Sequence, residues 1–140
     1  MHIHKFKDQH SDILRRIASL RALTQTGVAA NAPAIAEGII KMSVVIKLHL
    51  AVEDQALYPT LQRSEDAELI QLGRMYQNDM VPLARAYDVF ARRWNTAQRL
   101  QDDAEGFRAD ANNVLRLLHA RIQRENLEFY PRIEAQEEFV

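Results

Sequence analysis

Ile46-Lys-Leu-His49-Leu-Ala-Val-Glu53-Asp-Gln-Ala-Leu-Tyr58-Pro59 reads as one strip of amphipathic helix that carries a histidine and a carboxylate on its inward side. At ~100° per residue, positions four apart differ by about 40°, so His49 and Glu53 project from one face a turn apart. Extending that face at constant helical period adds Ile35, Met42, Ile46, Ala56 and Thr60 to it. Burying an unpaired charge is costly, so a His and a Glu among core positions require a partner.

The same 3.6-residue period runs through the rest of the chain, punctuated by only four glycines and four prolines. Helix A is expected from about Lys7 to Thr26, with Phe6, His10, Ile13, Leu14, Ile17 and Leu20 along one stripe. Gly27 and the small, polar run to Pro33 form the first turn. Helix B is expected from about Pro33, a favourable first-turn proline, to Gln62. Arg63-Ser64 connects it onward, with Ser64 as N-cap. Helix C is expected from about Glu65 to Thr96, its stripe formed by Leu69, Leu72, Tyr76, Met80, Leu83, Tyr87, Phe90 and Trp94. Pro82 falls within that stripe and predicts a kink. Asn95 to Asp103 is the third connection. Helix D is expected from about Ala104 to Ala135, with Phe107, Ala111, Val114, Leu118, Ile122, Glu125, Phe129 and Ile133 facing inward. His2 and His4 are read as disordered terminal residues that hold metal only adventitiously, and the last few residues, Glu137 to Val140, as frayed.

Four long helices with short connections predict an all-α, up-down-up-down four-helix bundle, one domain spanning residues 1–140. A charged fraction of 26% and an apolar fraction of 47% are ordinary for a globular chain. Net charge is −1 and the basic residues are scattered, which argues against a nucleic-acid partner. No segment is long and apolar enough to span a bilayer, and the N-terminus lacks a signal-like stretch. Cysteine is absent. Thiolate catalysis and Cys-ligated metals are thereby excluded, and a reducing cytoplasm suits the composition.

The inward polar residues are His10 on A, His49 and Glu53 on B, and Glu125 on D, which antiparallel packing brings to one level. Helices B and D also echo each other. Superposing Leu57-Tyr58-Pro59 on Phe129-Tyr130-Pro131 puts Glu53 on Glu125 and His49 on Arg121. In this set of residues the chain resembles the hemerythrin family in its bacterial HHE cation-binding form, over nearly its whole length. The resemblance implies a metal centre inside the bundle, with carboxylates from helices B and D bridging two irons and histidines from A and B holding the first. Those positions are Glu53, Glu125, His10 and His49, and all are filled. The second iron's histidines have no counterpart: helix C has none, and the helix D position holds Arg121.

Two readings follow. In one, His10, His49, Glu53 and Glu125 hold a single ion, a mixed N/O set that suits iron, zinc or manganese, with iron favoured by the resemblance. Arg121 then places a fixed guanidinium where the second cation would sit. A small diatomic ligand is the expected partner, and the role is oxygen, nitric oxide or iron handling, without reversible oxygen binding of the two-iron kind. In the other, no metal binds, and Arg121, Glu53 and Glu125 form a buried salt-bridge network in a regulatory or interaction module. An enzyme is not expected, because a bundle packed with Met80, Leu83 and Phe129 suggests no substrate pocket. His119, about 120° from Glu125 at ~100° per residue, is a weaker ligand candidate that a π-bulge would have to rotate inward. Asp79 on helix C is another. Tyr76 is placed at the site as a lining residue, most simply a core aromatic with its hydroxyl satisfied.

Overall fold

The computed structural model describes residues 3–138, and within them the chain is an all-α, up-down-up-down four-helix bundle with no strand. The long helices are α1 (Ile3–Gln25), α2 (Ala32–Val52), α4 (Ala67–Trp94) and α6 (Ala104–Arg124). Helix α2 continues through a π-helical turn, Glu53–Leu57, into α3 (Tyr58–Gln62). Helix α6 continues in the same way through Glu125–Phe129 into α7 (Tyr130–Glu138). A short α5 (Ala97–Asp102) occupies the connection before α6.

Local chemistry accounts for the ends. Gly27 turns the chain out of α1 at φ 126°, a backbone conformation closed to most L-residues. The cap of α4 is Asp66, whose carboxylate accepts from the backbone N–H groups of Glu68 and Leu69. Ser64, expected in that role, instead accepts from the Asp66 N–H. Two residues thus order the entry to α4 where one was anticipated. Thr96 caps α5 and Asp103 caps α6, which is why the expected open connection Asn95–Asp103 is mostly helical. Pro82 lies inside α4 with its ring exposed, and the helix is continuous across it.

The chain ends also differ from expectation. Helix α1 begins at Ile3, so His4 is an exposed helical residue rather than a disordered one. Buried Ile3 and Phe6 anchor that first turn against the core. The helical stretch at the far end runs on past Ala135 to Glu138, so fraying does not begin at Glu137. His2, Phe139 and Val140 lie outside the described residues.

The apolar core falls into two clusters. The larger includes Ile13, Ile17, Ile46, Met80, Tyr87, Phe90, Trp94 and Ile122. The smaller comprises Ile3, Phe6, Leu57, Tyr58, Leu61, Leu69, Tyr76, Phe129, Tyr130 and Ile133. Between them in sequence, on the helices that supply them, come the buried residues His10, His49, Glu53 and Glu125, with buried Arg121 one turn before Glu125. A polar layer therefore divides the hydrophobic interior.

The π-turn after Glu53 alters which residues face this interior. A π-turn inserts one residue into the helical phase. Ala56 and Thr60, expected inward at constant period, are exposed, and Leu57, Tyr58 and Leu61 are buried in their place. Tyr58 N–H donates to the Glu53 carbonyl, and Tyr130 N–H to the Glu125 carbonyl, each five residues back. The next residue in both copies is proline, which has no N–H and crowds the carbonyl four residues before it, so it favours a widened turn there. Proline alone is insufficient, since α4 accommodates Pro82 without widening.

Candidate metal centre

Helix α1 supplies His10, α2 supplies His49, and the two π-turns open on Glu53 and Glu125. All four side chains are buried, the two carboxylates at 1% and 2% exposure. One ligand atom from each of His10, His49 and Glu125 lies within 4.8 Å of the others, close enough to share an ion. Glu53 joins from the His49 side, its Oε1 3.1 Å from His49 Nε2. Glu125 Oε1 is 3.9 Å from His10 Nε2.

Hydrogen bonds at the rim set the state of the imidazoles. His10 Nδ1 lies 2.7 Å from Asn126 Oδ1, and His49 Nδ1 lies 2.6 Å from Gln9 Oε1. An amide oxygen only accepts, so with these amide orientations each Nδ1 carries the hydrogen and donates it. Both Nε2 atoms are then lone-pair acceptors, and they face each other across 3.0 Å. Burial holds both imidazoles neutral by lowering each pKa to about 4.

The carboxyls are perturbed the other way. Burial raises Glu53 to about 7, against the stabilising influence of Glu125 and Arg121. Burial and then repulsion from Glu53 raise Glu125 to about 7, against Arg121. Among the described residues no donor reaches Glu53 Oε1 or Glu125 Oε2, and His49 Nε2, 3.1 Å from Glu53 Oε1, carries no proton. Tyr130 Oη is 3.1 Å from His10 Nε2 and 3.4 Å from Glu53 Oε2, one hydroxyl proton between two acceptors. The layer therefore holds a surplus of lone pairs in a dry interior. A cation is what such a set lacks, and a mixed imidazole–carboxylate donor set fits a divalent or trivalent ion of the iron or zinc type. The Nδ1–H bonds to Gln9 and Asn126 are the outer contacts that orient ligating imidazoles.

Arg121 occupies the other side. Its Nε donates to Glu125 Oε1 at 3.0 Å, and its Nη2 to the Tyr76 carbonyl at 2.6 Å. Its guanidinium carbon sits 4.7 Å from the centre of the Tyr76 ring. Burial works against its charge, but Glu125 outweighs that and holds the guanidinium more firmly protonated than usual. Glu53 takes no hydrogen bond from Arg121; its hydroxyl donor is Tyr130. The expected Arg121-Glu53-Glu125 network is thus an Arg121–Glu125 pair beside a Tyr130–Glu53 contact.

Three further candidates lie outside the cluster. Tyr76 lines the layer with its ring and carbonyl, while its hydroxyl donates outward to Glu128 Oε2 at 3.0 Å. Asp79 is exposed on α4, in a shallow groove that reaches Arg121 from outside. His119 is half-buried six residues before the π-turn, which begins at Glu125 and so cannot rotate it inward. Residues that the sequence pattern did not single out are Tyr130, Gln9 and Asn126, together with Tyr58, whose buried hydroxyl has no partner. Gln9 and Asn126 adjoin His10 and Glu125 in sequence, and the Tyr58–Tyr130 echo is visible there, but helical period alone points none of them at the site.

The family model described as Hemerythrin HHE cation binding domain matches residues 1–133. No curated protein and no solved structure gives a significant match to the chain.

Proposed function

The chain belongs to the hemerythrin HHE cation-binding family, and from that premise we propose that it holds a single non-haem metal ion, iron in the first instance and zinc as the alternative, through His10, His49, Glu53 and Glu125. The observation that carries the proposal is the pair of Nε2 lone pairs facing each other across 3.0 Å beside two unpartnered carboxylate oxygens. Bound iron supplies a centre able to coordinate a diatomic ligand and to change oxidation state. The role we assign is non-enzymatic: sensing or handling of oxygen, nitric oxide or iron, in the cytoplasm. Among the described residues, no helix is long and apolar enough to cross a membrane.

The surrounding residues have separable tasks in this proposal. Gln9 and Asn126 hold the imidazoles with Nε2 directed inward. Arg121 offsets the charge of Glu125 on the side where a second cation would otherwise be needed. The two π-turns present Glu53 and Glu125 together with the tyrosines that follow. Phe6, Leu57 and Phe129 exclude water from the layer.

Elemental analysis of untagged protein purified without chelator tests the reading. The expected result is about one metal per chain, lost in the His49→Ala variant. Two metals per chain would contradict the role given to Arg121, and none after loading with ferrous ion would contradict metal binding itself. The Arg121–Glu125 pair and the Tyr130 contact with His10 support a second reading, a metal-free interaction module whose polar layer is structural. It predicts a folded, fully active protein without metal, and no functional loss when His10 or His49 becomes alanine.

A further inference from the structure

Tyr130 is fully buried, and the atoms its hydroxyl reaches are ligand atoms: His10 Nε2 at 3.1 Å and Glu53 Oε2 at 3.4 Å. Its ring stacks on His10 with centroids 4.9 Å apart and planes 18° from parallel, and it packs against Phe6 at 6.1 Å. The phenol therefore has little freedom to swing away. Once His10 Nε2 is committed to a metal, that nitrogen has no lone pair left to accept the Tyr130 proton. The other acceptor in reach, Glu53, is itself one of the ligands. The hydroxyl would be left buried without a partner, which costs about as much as a lost hydrogen bond.

We propose that Tyr130 is a fifth donor, its phenol oxygen ligating ferric iron held by His10, His49, Glu53 and Glu125. This rests on the single-metal reading above and adds to it a residue that the helix D echo of Tyr58-Pro59 placed in the layer. The O–H bond breaks as the iron–oxygen bond forms, and the proton leaves to the buffer. Charge favours the arrangement. Two carboxylates and a phenolate match a trivalent ion, so that only the Arg121 charge is left over in a dry layer, whereas a neutral phenol would leave two. Hard anionic oxygen donors also suit the higher oxidation state. Tyr58, at the equivalent place in helix B, does not share this role: its hydroxyl makes no hydrogen bond to any ligand.

Loading the full chain with ferric citrate, then measuring iron content alongside visible absorption and resonance Raman scattering, tests the proposal. The expected result is one iron per chain, a visible phenolate-to-iron band, and phenolate ring vibrations that shift with ring-deuterated tyrosine. Tyr130→Phe should abolish band and vibrations, and Tyr58→Phe should retain both, with circular dichroism confirming the fold of each. One iron per chain without phenolate vibrations in the wild-type protein would overturn the Tyr130 assignment and leave the single-metal reading standing. Loss of the signal in Tyr58→Phe rather than Tyr130→Phe would overturn it in favour of the other tyrosine. No bound iron would overturn both, and the iron content alone reveals that case. If Tyr130→Phe fails to fold, the wild-type vibrations and the Tyr58→Phe result still decide.

Discussion

Arg121→Met separates the electrostatic role of this residue from its packing, because methionine retains much of the apolar stem and removes every donor. Two acceptors lose a donor: Glu125 Oε1 at 3.0 Å, and the Tyr76 carbonyl at 2.6 Å, which keeps its bond within α4. Breaking a buried ion pair by deleting one member costs about 3–5 kcal/mol when the remaining charge has no escape. Glu125 has one, since its pKa already stands at about 7 and rises further without Arg121. Taking a proton caps the carboxylate penalty, and the Tyr76 carbonyl, still bonded within α4, loses about 0.5–1.5 kcal/mol with its second donor. The net loss at pH 7 is therefore about 2–4 kcal/mol. An unfolding entropy of roughly 2.1 cal/mol/K per residue gives about 0.3 kcal/mol per degree for a chain of this length, hence a fall in Tm of about 7–14 °C. The pH dependence follows from the sign of the Glu125 shift. Its folded pKa lies above its unfolded one, so ionisation costs stability as pH rises through 7, by up to about 1.4 kcal/mol per unit. At pH 5 the carboxyl is protonated in both proteins and the difference between them narrows. Calorimetric melts of metal-free wild type and variant at pH 5 and pH 8 measure this directly. A fall below about 2 °C at pH 8, or a larger fall at pH 5 than at pH 8, would refute the assignment of Arg121 as the partner that keeps Glu125 charged. Ferrous ion should recover part of the loss, since a bound cation offsets the same carboxylate; a wholly structural layer predicts no recovery.

Metal affinity should weaken as pH falls from 7 to 5, because Glu53 and Glu125, both at about 7, must give up protons for a cation. The slope should be about tenfold per unit for each carboxyl, read by competition with a chromophoric chelator, with the imidazoles adding nothing until about pH 4. Gln9→Leu and Asn126→Leu should each reduce affinity about 10–100-fold while leaving one metal per chain, since they free His49 Nδ1–H and His10 Nδ1–H; unchanged affinity would show that neither amide orients its imidazole. Deleting Gln55 should remove the extra residue of the π-turn and leave Leu57, Tyr58 and Leu61 inward, because they then take the uniform-helix places of Ala56, Leu57 and Thr60. The variant should therefore lose less than the about 3–6 kcal/mol that exposing Leu57 and Tyr58 would cost at ~1.5–3 kcal/mol each; a loss of that size in its thermal melt would show that one inserted residue does not set the phase.

The bundle was legible because its signal is repetitive: the same spacing of three and four recurs along each long helix, and turn residues fall between. His10, His49, Glu53 and Glu125 were legible for the complementary reason that they interrupt an apolar stripe without leaving it. What period could not convey is a change of period. Ala56 and Thr60 are where a uniform helix would place core residues, and Leu57, Tyr58 and Leu61 are where the π-turn places them. On helix D the inward series Glu125, Phe129 and Ile133 already steps by four, and superposing its Tyr-Pro pair on that of helix B carries the step to Leu57 and Tyr58. The echo that locates Arg121 therefore also encodes the turn, and the turn is what brings Tyr130 to His10. The partners of the imidazoles were hidden for a different reason. Gln9 and Asn126 reach across to other helices, so their role depends on bundle geometry that no single helical stripe contains. One physical cause joins these cases. A straight α-helix delivers one inward residue per turn, and a site that needs a carboxylate and a phenol from the same strip must widen the helix between them. Glu53 and Glu125 each open such a widened turn, and a tyrosine closes each one; the π-turns are accordingly part of the site rather than irregularities beside it.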